Sequence, residues 1–357
     1  MRRHLLEFAR TNPAPTPYPK SPHAALTMPL KTRHRFICVA AIVGAMPAAQ
    51  AQRADDAARG FPSRPIRVVI GFTPGGQPDI ITRLIAPKLG EALGQPLVVD
   101  NRPGAGGTVG TKIVVDAQPD GYTLLTASSS HAVAPAIYAK LPYDSLRDIT
   151  GVSMASVASY VLVAAPVLGV KSVQELVAMA KAKPGQLNFS SAGAGSGMHF
   201  AGEVFKQATQ IDATHVPYKG VPEALNDVVG GRVQFTMAPL GASIGLVRDG
   251  RLRVLGISSL KRSNVHSDVP TIAESGYAGF RWDSWSAFFA PAKTPRVIVN
   301  KLNREIVRVL SEPEMQQRLA VIGMEASPGT PEQLDKFVAD QLATVMQLAK
   351  KAGIQAR

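Results

Sequence analysis

Short β-branched runs alternate along this chain with longer segments whose apolar residues recur every three or four positions, and glycine-rich turns separate the two. Ile66 to Phe72 is apolar almost without interruption, which predicts a strand buried on both faces. From Asp79 to Leu93, Ile80, Ile81, Leu84, Ile85, Leu89 and Leu93 share one helical face. Strand character returns at Leu97 to Val99, a helix follows the glycine-rich stretch Gly104 to Gly107, and Tyr122 to Thr126 is again strand-like. Repetition of strand, turn and helix predicts parallel sheets with helices on both faces.

The same grammar restarts at Tyr160 to Ala164. Ser172 and Glu175 make a capping box for a helix over Val173 to Lys183, Leu187 to Ser191 reads as strand, and Met198 to Thr209 as helix. Strands at Thr214 to Pro217, Val233 to Met237 and Arg253 to Ile257 alternate with helices over Pro222 to Val229 and Leu240 to Arg248. Ser284 to Ala290 reads as an extended return to the first unit. Helices over Val297 to Leu310, Glu314 to Ile322 and Glu332 to Lys351 follow, the last opened by Thr330, Pro331 and Gln333. The expected architecture is two α/β lobes joined by two crossings, near 158–160 and 282–286. Lobe 1 takes 60–158 and 284–357, and lobe 2 takes 159–283.

Residues 1–51 follow different rules. From Met28, a basic stretch (Lys31, Arg33, Arg35), a short apolar run from Phe36 to Ala45 and the small-residue site Ala49-Gln50-Ala51 have the layout of a cleavable secretory signal. The apolar run is too short to span a bilayer. The proline-rich residues before Met28 read as a mis-called start. Cleavage after Ala51 removes the sole cysteine, Cys38, leaving an exported chain without disulfides. It also removes seven Lys/Arg and one acid, lowering the formal charge from +13 to +7. The remaining basic residues are interspersed with acids (KAKPG, RDGRLR), which argues against a nucleic-acid surface.

Two glycine loops carry the candidate chemistry. In Phe72-Thr73-Pro74-Gly75-Gly76-Gln77-Pro78-Asp79 a strand turns into a helix, so free backbone N–H groups and the positive helix end face the same crevice. Glycines let a ligand approach the main chain. The stretch Ser190 to His199 repeats the device in the second lobe. Two such loops facing each other would clamp an anion rather than react with it. Other motifs fail on spacing. Gly104 to Gly110 has Val109 where a dinucleotide fingerprint needs glycine, and the sequence around Ser196 is not a hydrolase elbow. His131, His199, His215 and His266 lack metal-like spacing, so neither metal nor cofactor is expected.

Beyond these local features, FPSRPIRVVIGFTPGGQPD, GQPLVVDNRPGAGGTVG, PDGYTLL, HVPYKG, LNDVVGGRVQ and DVPTIAESG together resemble the tripartite tricarboxylate transporter substrate-binding (Bug) family, from about Phe61 to the C-terminus. The resemblance implies a type II periplasmic binding protein: two α/β lobes that close on a small carboxylate and deliver it to membrane transporter subunits, as a monomer that docks transiently. It also implies carboxylate contacts from Phe72, Thr73, Pro74, Gly75, Gly76, Gln77 and Asp79, and from Ser191, Ala192, Gly193, Gly195, Ser196 and His199. Ser128, Ser129, His131, Tyr218, Lys219 and Ala238 join the cleft on the same basis. A periplasmic sensor subunit and, behind it, an enzyme acting on an organic acid are the alternative functions.

Three positions depart from the family pattern. Gln77-Pro78 stands where a small hydroxyl residue commonly follows the paired glycines, and Pro78 withdraws one N–H. Ala238 replaces a common aspartate, and Pro87 and Gly90 interrupt the first helix. These changes predict a preference for a less polar or monocarboxylic acid over a hydroxylated tricarboxylate.

Overall fold

The computed structural model describes residues 60–263, 267–351, 354 and 356. The expected leader over 1–51 and His266 lie outside them. Lobe 1 begins with β1 (Ile66–Ile70), α1 (Gln77–Leu93), β2 (Leu97–Asn101), α2 (Thr108–Val115), β3 (Thr123–Ser128) and α3 (Ser130–Ile137). β1 lies between β2 and β3, parallel to both. Pro78 in the first turn of α1 presets a helical φ, and Gly94 ends the helix in the left-handed conformation at φ 74°. α1 runs unbroken through Pro87 and Gly90.

The long strand β4 (Ile149–Ala164) leads into lobe 2, which holds α4 (Val173–Ala182), β5 (Leu187–Ser191), α5 (Gly197–Thr209), β6 (Ala213–Pro217), α6 (Val221–Val229), β7 (Phe235–Pro239), α7 (Leu240–Arg248) and β8 (Arg253–Ile257). β9 (Asp283–Pro291), α8 (Arg296–Leu310), α9 (Pro313–Val321), β10 (Met324–Ala326) and α10 (Pro331–Lys351) complete the chain.

The strand order is β2-β1-β3-β9-β4-β7-β5-β6, with β8 and β10 also bonded to β4. From Ile149 to Ser159, β4 pairs with β9; from Tyr160 to Ala164 it pairs with β7 and β8. One strand therefore belongs to the ladders of both lobes. The expected all-parallel arrangement holds only for the outer strands, β1 to β3 and β5 to β7. β9 is antiparallel to β3 and to β4. The reason is topological: β4 carries the chain out of lobe 1 and β9 brings it back, so the neighbouring crossings must run in opposite directions.

Strand residues alternate between two cores in lobe 1. Val68, Leu124 and Phe288 pack with Ile81, Ile85 and Leu89 of α1 and Leu302 and Ile306 of α8. Val69, Leu125 and Phe289 face the other way, toward Val114 of α2 and Leu334 and Val338 of α10. Lobe 2 closes around Phe189, Phe200, Phe205 and Phe235, all fully buried, and each such side chain contributes about 1.5–3 kcal/mol by leaving water. Val345 and Ala349, late in α10, join that second apolar cluster, so the C-terminal helix spans from one core to the other.

Candidate functional site

The first glycine loop is tied down by Asp79. Its carboxylate accepts the Gly75 N–H at 2.9 Å, Asn101 Nδ2 at 3.1 Å and Arg83 Nε at 3.0 Å, while Asn101 also donates to the Phe72 carbonyl. Asp79 is buried with its oxygens engaged, so it shapes the loop instead of reaching a ligand. Gly75 has φ 95°, a conformation that requires glycine. Gly76 caps α1 without any side-chain hydrogen bond, which leaves the N–H of Gln77 without a partner inside the helix. The Gln77 side chain turns inward. It is 1% exposed; Nε2 donates to Ser156 Oγ of β4 at 3.3 Å, and Oε1 accepts Ser284 Oγ of β9. Gln77 thus joins the loop to both crossing strands.

The second loop uses much of its own polarity. Gly193 N–H donates to Ser191 Oγ at 3.1 Å, Ser196 N–H to the Gly193 carbonyl, and Gly195 N–H to His199 Nδ1 at 3.3 Å. Ser196 caps α5 by accepting the His199 N–H at 3.2 Å. Gly193 and Gly195 are left-handed, at φ 116° and 79°. Ser191 Oγ also lies 2.6 Å from His215 Nε2, and the His199 and His215 rings stack at 4.0 Å. The glycine N–H groups expected to face a ligand are in part consumed within the loop. In the first turn of α5 the N–H groups of Gly197 and Met198 have no partner within the helix.

Five helix starts converge where the lobes meet. A methyl on Gly71 would fall 2.6 Å from Gly107 Cα, so the first loop and the start of α2 touch main chain to main chain. One on Gly107 would sit 3.0 Å from the Phe72 ring and 3.5 Å from Ser130 Oγ, at the start of α3. Gly106 abuts the Ala194 carbonyl and Gly197 abuts Ser129 Oγ, both across the lobes. On the other flank, Gly75 and Gly76 face Pro222 and Val221 of α6, with would-be methyl contacts of 3.1 and 3.4 Å. The starts of α1, α2, α3 and α6 have no side-chain cap; only α5 is capped. Apart from α6, whose first turn carries Glu223, each uncapped start presents unpaired backbone N–H and a partial positive charge, an arrangement suited to an anion without lysine or arginine.

Other expected site residues divide. Ser128 shares a hydrogen bond with Ser130, and Ser129 with the Tyr160 hydroxyl at 3.2 Å, at the foot of the cleft. Thr73 bonds Glu223 across the lobes, and Pro74 lies beside it in the same loop. Ala192 is buried within the second loop. Tyr218 sends its hydroxyl to Asp227 of α6 and supports the second loop through its backbone N–H, bonded to Ser191 O at 2.9 Å. Lys219 is exposed beside it. Ala238 is fully buried within β7, opposite Val161.

His131 is the clearest misplacement. It is buried inside lobe 1 between Tyr143 and Phe289, with Nε2 donating to the Ser145 carbonyl at 2.9 Å. An apolar strand-to-helix junction has no sequence signal that separates a core histidine from a cleft one. Burial lowers its pKa to about 4; burial, then the charges of His199 and Lys206, lower that of His215 to about 3. Unfolded, both protonate near pH ~6.5. Below that pH the unfolded chain binds more protons than the native one, so stability present above it is lost as pH falls toward 4 and then 3. The urea midpoint should accordingly drop between about pH 7.5 and 4.5, each histidine costing about 1.4 kcal/mol per pH unit below ~6.5. His131→Leu should flatten that decline; equal slopes in both proteins would count against the assignment.

Sequence reasoning missed Gly106, Gly107, Tyr138, Tyr160 and Glu223. Tyr138 donates its hydroxyl to the Ala194 carbonyl at 2.7 Å, a second bond between the lobes. The signal for the glycines is in the sequence: Gly104 to Gly107 is a third strand-to-helix glycine stretch, although it fits no nucleotide motif. A surface depression of about 700 Å³ lies elsewhere, on the outside of lobe 1 between α1 and β2. It lacks the converging helix starts that make the cleft the better site.

Residues 81–354 match the tripartite tricarboxylate transporter family receptor. The chain belongs to this family. BugT of Bordetella pertussis is 36% identical over 315 residues, covering 88% of this chain and 97% of BugT. Among solved structures, an R. palustris protein with adipate is similar with a TM-score of 0.81 and 35% identity, over 83% of this chain and 100% of that one. The periplasmic binding protein BugD is similar with a TM-score of 0.80 and 30% identity, over 83% and 100%. In this receptor family fold, the cleft lies between two α/β lobes, at the carboxyl ends of the parallel strands, where open α/β sheets bind ligands.

Proposed function

We infer that this chain is an exported receptor that captures a small carboxylate by closure of its two lobes and hands it to the membrane subunits of a tripartite tricarboxylate-type transporter. The reading rests above all on the convergence of the uncapped starts of α1, α2 and α3 on one interlobe cleft. The adipate found in a relative of like fold agrees with an acid as ligand. Charge-assisted N–H contacts are about twice as strong as neutral ones, and closure strengthens them by excluding water. The leader over 28–51 supplies export, and the receptor works as a monomer that meets its membrane partner transiently. Ligand drives closure only through contacts that the closed arrangement adds, such as those around Gly106 and Thr73.

Binding without turnover is the favoured chemistry. Ser191 and His215 are close enough for a nucleophile and base, but Ser191 is fully buried and its oxygen is engaged by Gly193. No electrophile can reach it without dismantling the loop.

A thermal-shift panel of aliphatic, aromatic, hydroxylated and polybasic acids tests the function. At least one small carboxylate should raise the melting temperature in proportion to the logarithm of its concentration, and calorimetry should give one site per chain. Less polar or single-carboxylate acids should rank above citrate. If no acid in the panel binds while sugars or cations do, the reading is wrong.

A further inference from the structure

Glu223 is an acid placed where an anion site would otherwise be. It lies in the first turn of α6, whose cap, Gly220, makes no side-chain hydrogen bond. Its carboxylate reaches back over its own helix start: a methyl on Gly220 would fall 2.9 Å from Glu223 Oε2 and 2.9 Å from Thr73 Cβ. Oε2 accepts the Thr73 hydroxyl at 3.0 Å, across the lobes. An internal carboxylate therefore occupies the α6 end of the cleft, next to the first glycine loop. The starts of α1, α2, α3 and α5 remain for a ligand.

We propose that Glu223 determines which acids this receptor accepts, by excluding a second negative charge from the Thr73 end of the cleft and so selecting ligands with one carboxylate and an uncharged far end. This inference rests on the carboxylate-receptor reading. Like charges a few ångströms apart repel strongly in a partly desolvated site, whereas a neutral amide or methyl does not. The Thr73 hydroxyl, already donated to Glu223, is not available to a ligand carboxylate. Gly220 is part of the device, since any side chain there would strike Thr73.

The test compares three six-carbon probes by calorimetry: hexanoate, adipate and the adipate monoamide, which matches adipate in shape but lacks its second charge. The wild-type chain should bind the monoamide about ten-fold more tightly than adipate at low salt. Glu223→Gln keeps an oxygen for the Thr73 hydroxyl but removes the charge. It should tighten adipate until the two differ by less than about two-fold, with the monoamide little changed. Glu223→Ala should shift the ratio the same way. If adipate binds the wild type as tightly as the monoamide, or the ratio is unmoved in both variants, Glu223 is not the selector and the carboxylate reading stands. If none of the three probes binds any of the proteins, while the wider acid panel does find a ligand, selection by this charge is likewise overturned. Silence of the whole panel overturns both readings.

Discussion

Replacing Gly106 with alanine is expected to cost the receptor its ligand while leaving both lobes folded. A methyl there would collide with the Ala194 carbonyl and lie 3.0 Å from Gly195 C, main-chain atoms of the opposite lobe that have no rotamer through which to give way. Gly106 also has φ 62°, so alanine adds about 1–2 kcal/mol of local strain. Opening the lobes relieves the collision but not the strain, so folding loses little and closure loses much. If binding needs the closed arrangement, affinity falls by the free energy that separates open from closed in the variant. Calorimetric titration with the best acid of the panel should show a loss of about a hundred-fold or more. Small-angle scattering should show that the ligand no longer reduces the radius of gyration. Undiminished affinity with normal compaction would mean that ligand is held without the lobes touching at this point.

Gln77→Leu should lower both stability and affinity. The change removes the acceptor for Ser284 Oγ and the donor to Ser156 Oγ, and all three side chains are buried. A buried polar group left without its partner costs about 1–3 kcal/mol, which in a chain of this size lowers the melting temperature by roughly 3–10 °C. The same amide fixes the first glycine loop to β4 and β9, so its loss also loosens the α1 start and should weaken acid binding about ten-fold. Gln77→Glu should be worse, because it buries a charge that no described cation faces. A variant that melts with the wild type and binds equally well would show that the strap between loop and crossings is idle.

Much of this fold could be read from hydrophobic spacing. The outer strands and the long helices announced themselves, because residues such as Val68 and Val69, or Ile81 and Ile85, have fixed partners on a sheet or helix face. The crossing half of β4 did not. Its run Gly151 to Ser159 is rich in serine and small residues, and its logic emerges only from long-range partners: Ser156 with Gln77, and Ser159 with Ser259. α3 was missed for a similar reason, being short and containing Pro135.

The site was legible as two loops, not as a set of contacts. Gly75 and Gly193 carry the backbone freedom expected of them, but their N–H groups are held by Asp79 and Ser191, pairings that sequence spacing alone does not rank above ligand contacts. Glu223 was invisible because its meaning depends on Thr73, far away in the chain and brought near only when the lobes meet.

Because β4 is hydrogen-bonded on both sides of Ser159 without a break, the two halves of the receptor are coupled like the ends of a leaf spring, not like plates on a pin. Opening must be absorbed by twisting a continuous ladder about Ser159 and Tyr160, where the partner of β4 changes from β9 to β7. Such a restoring force limits how far the jaws gape and returns them toward one resting angle.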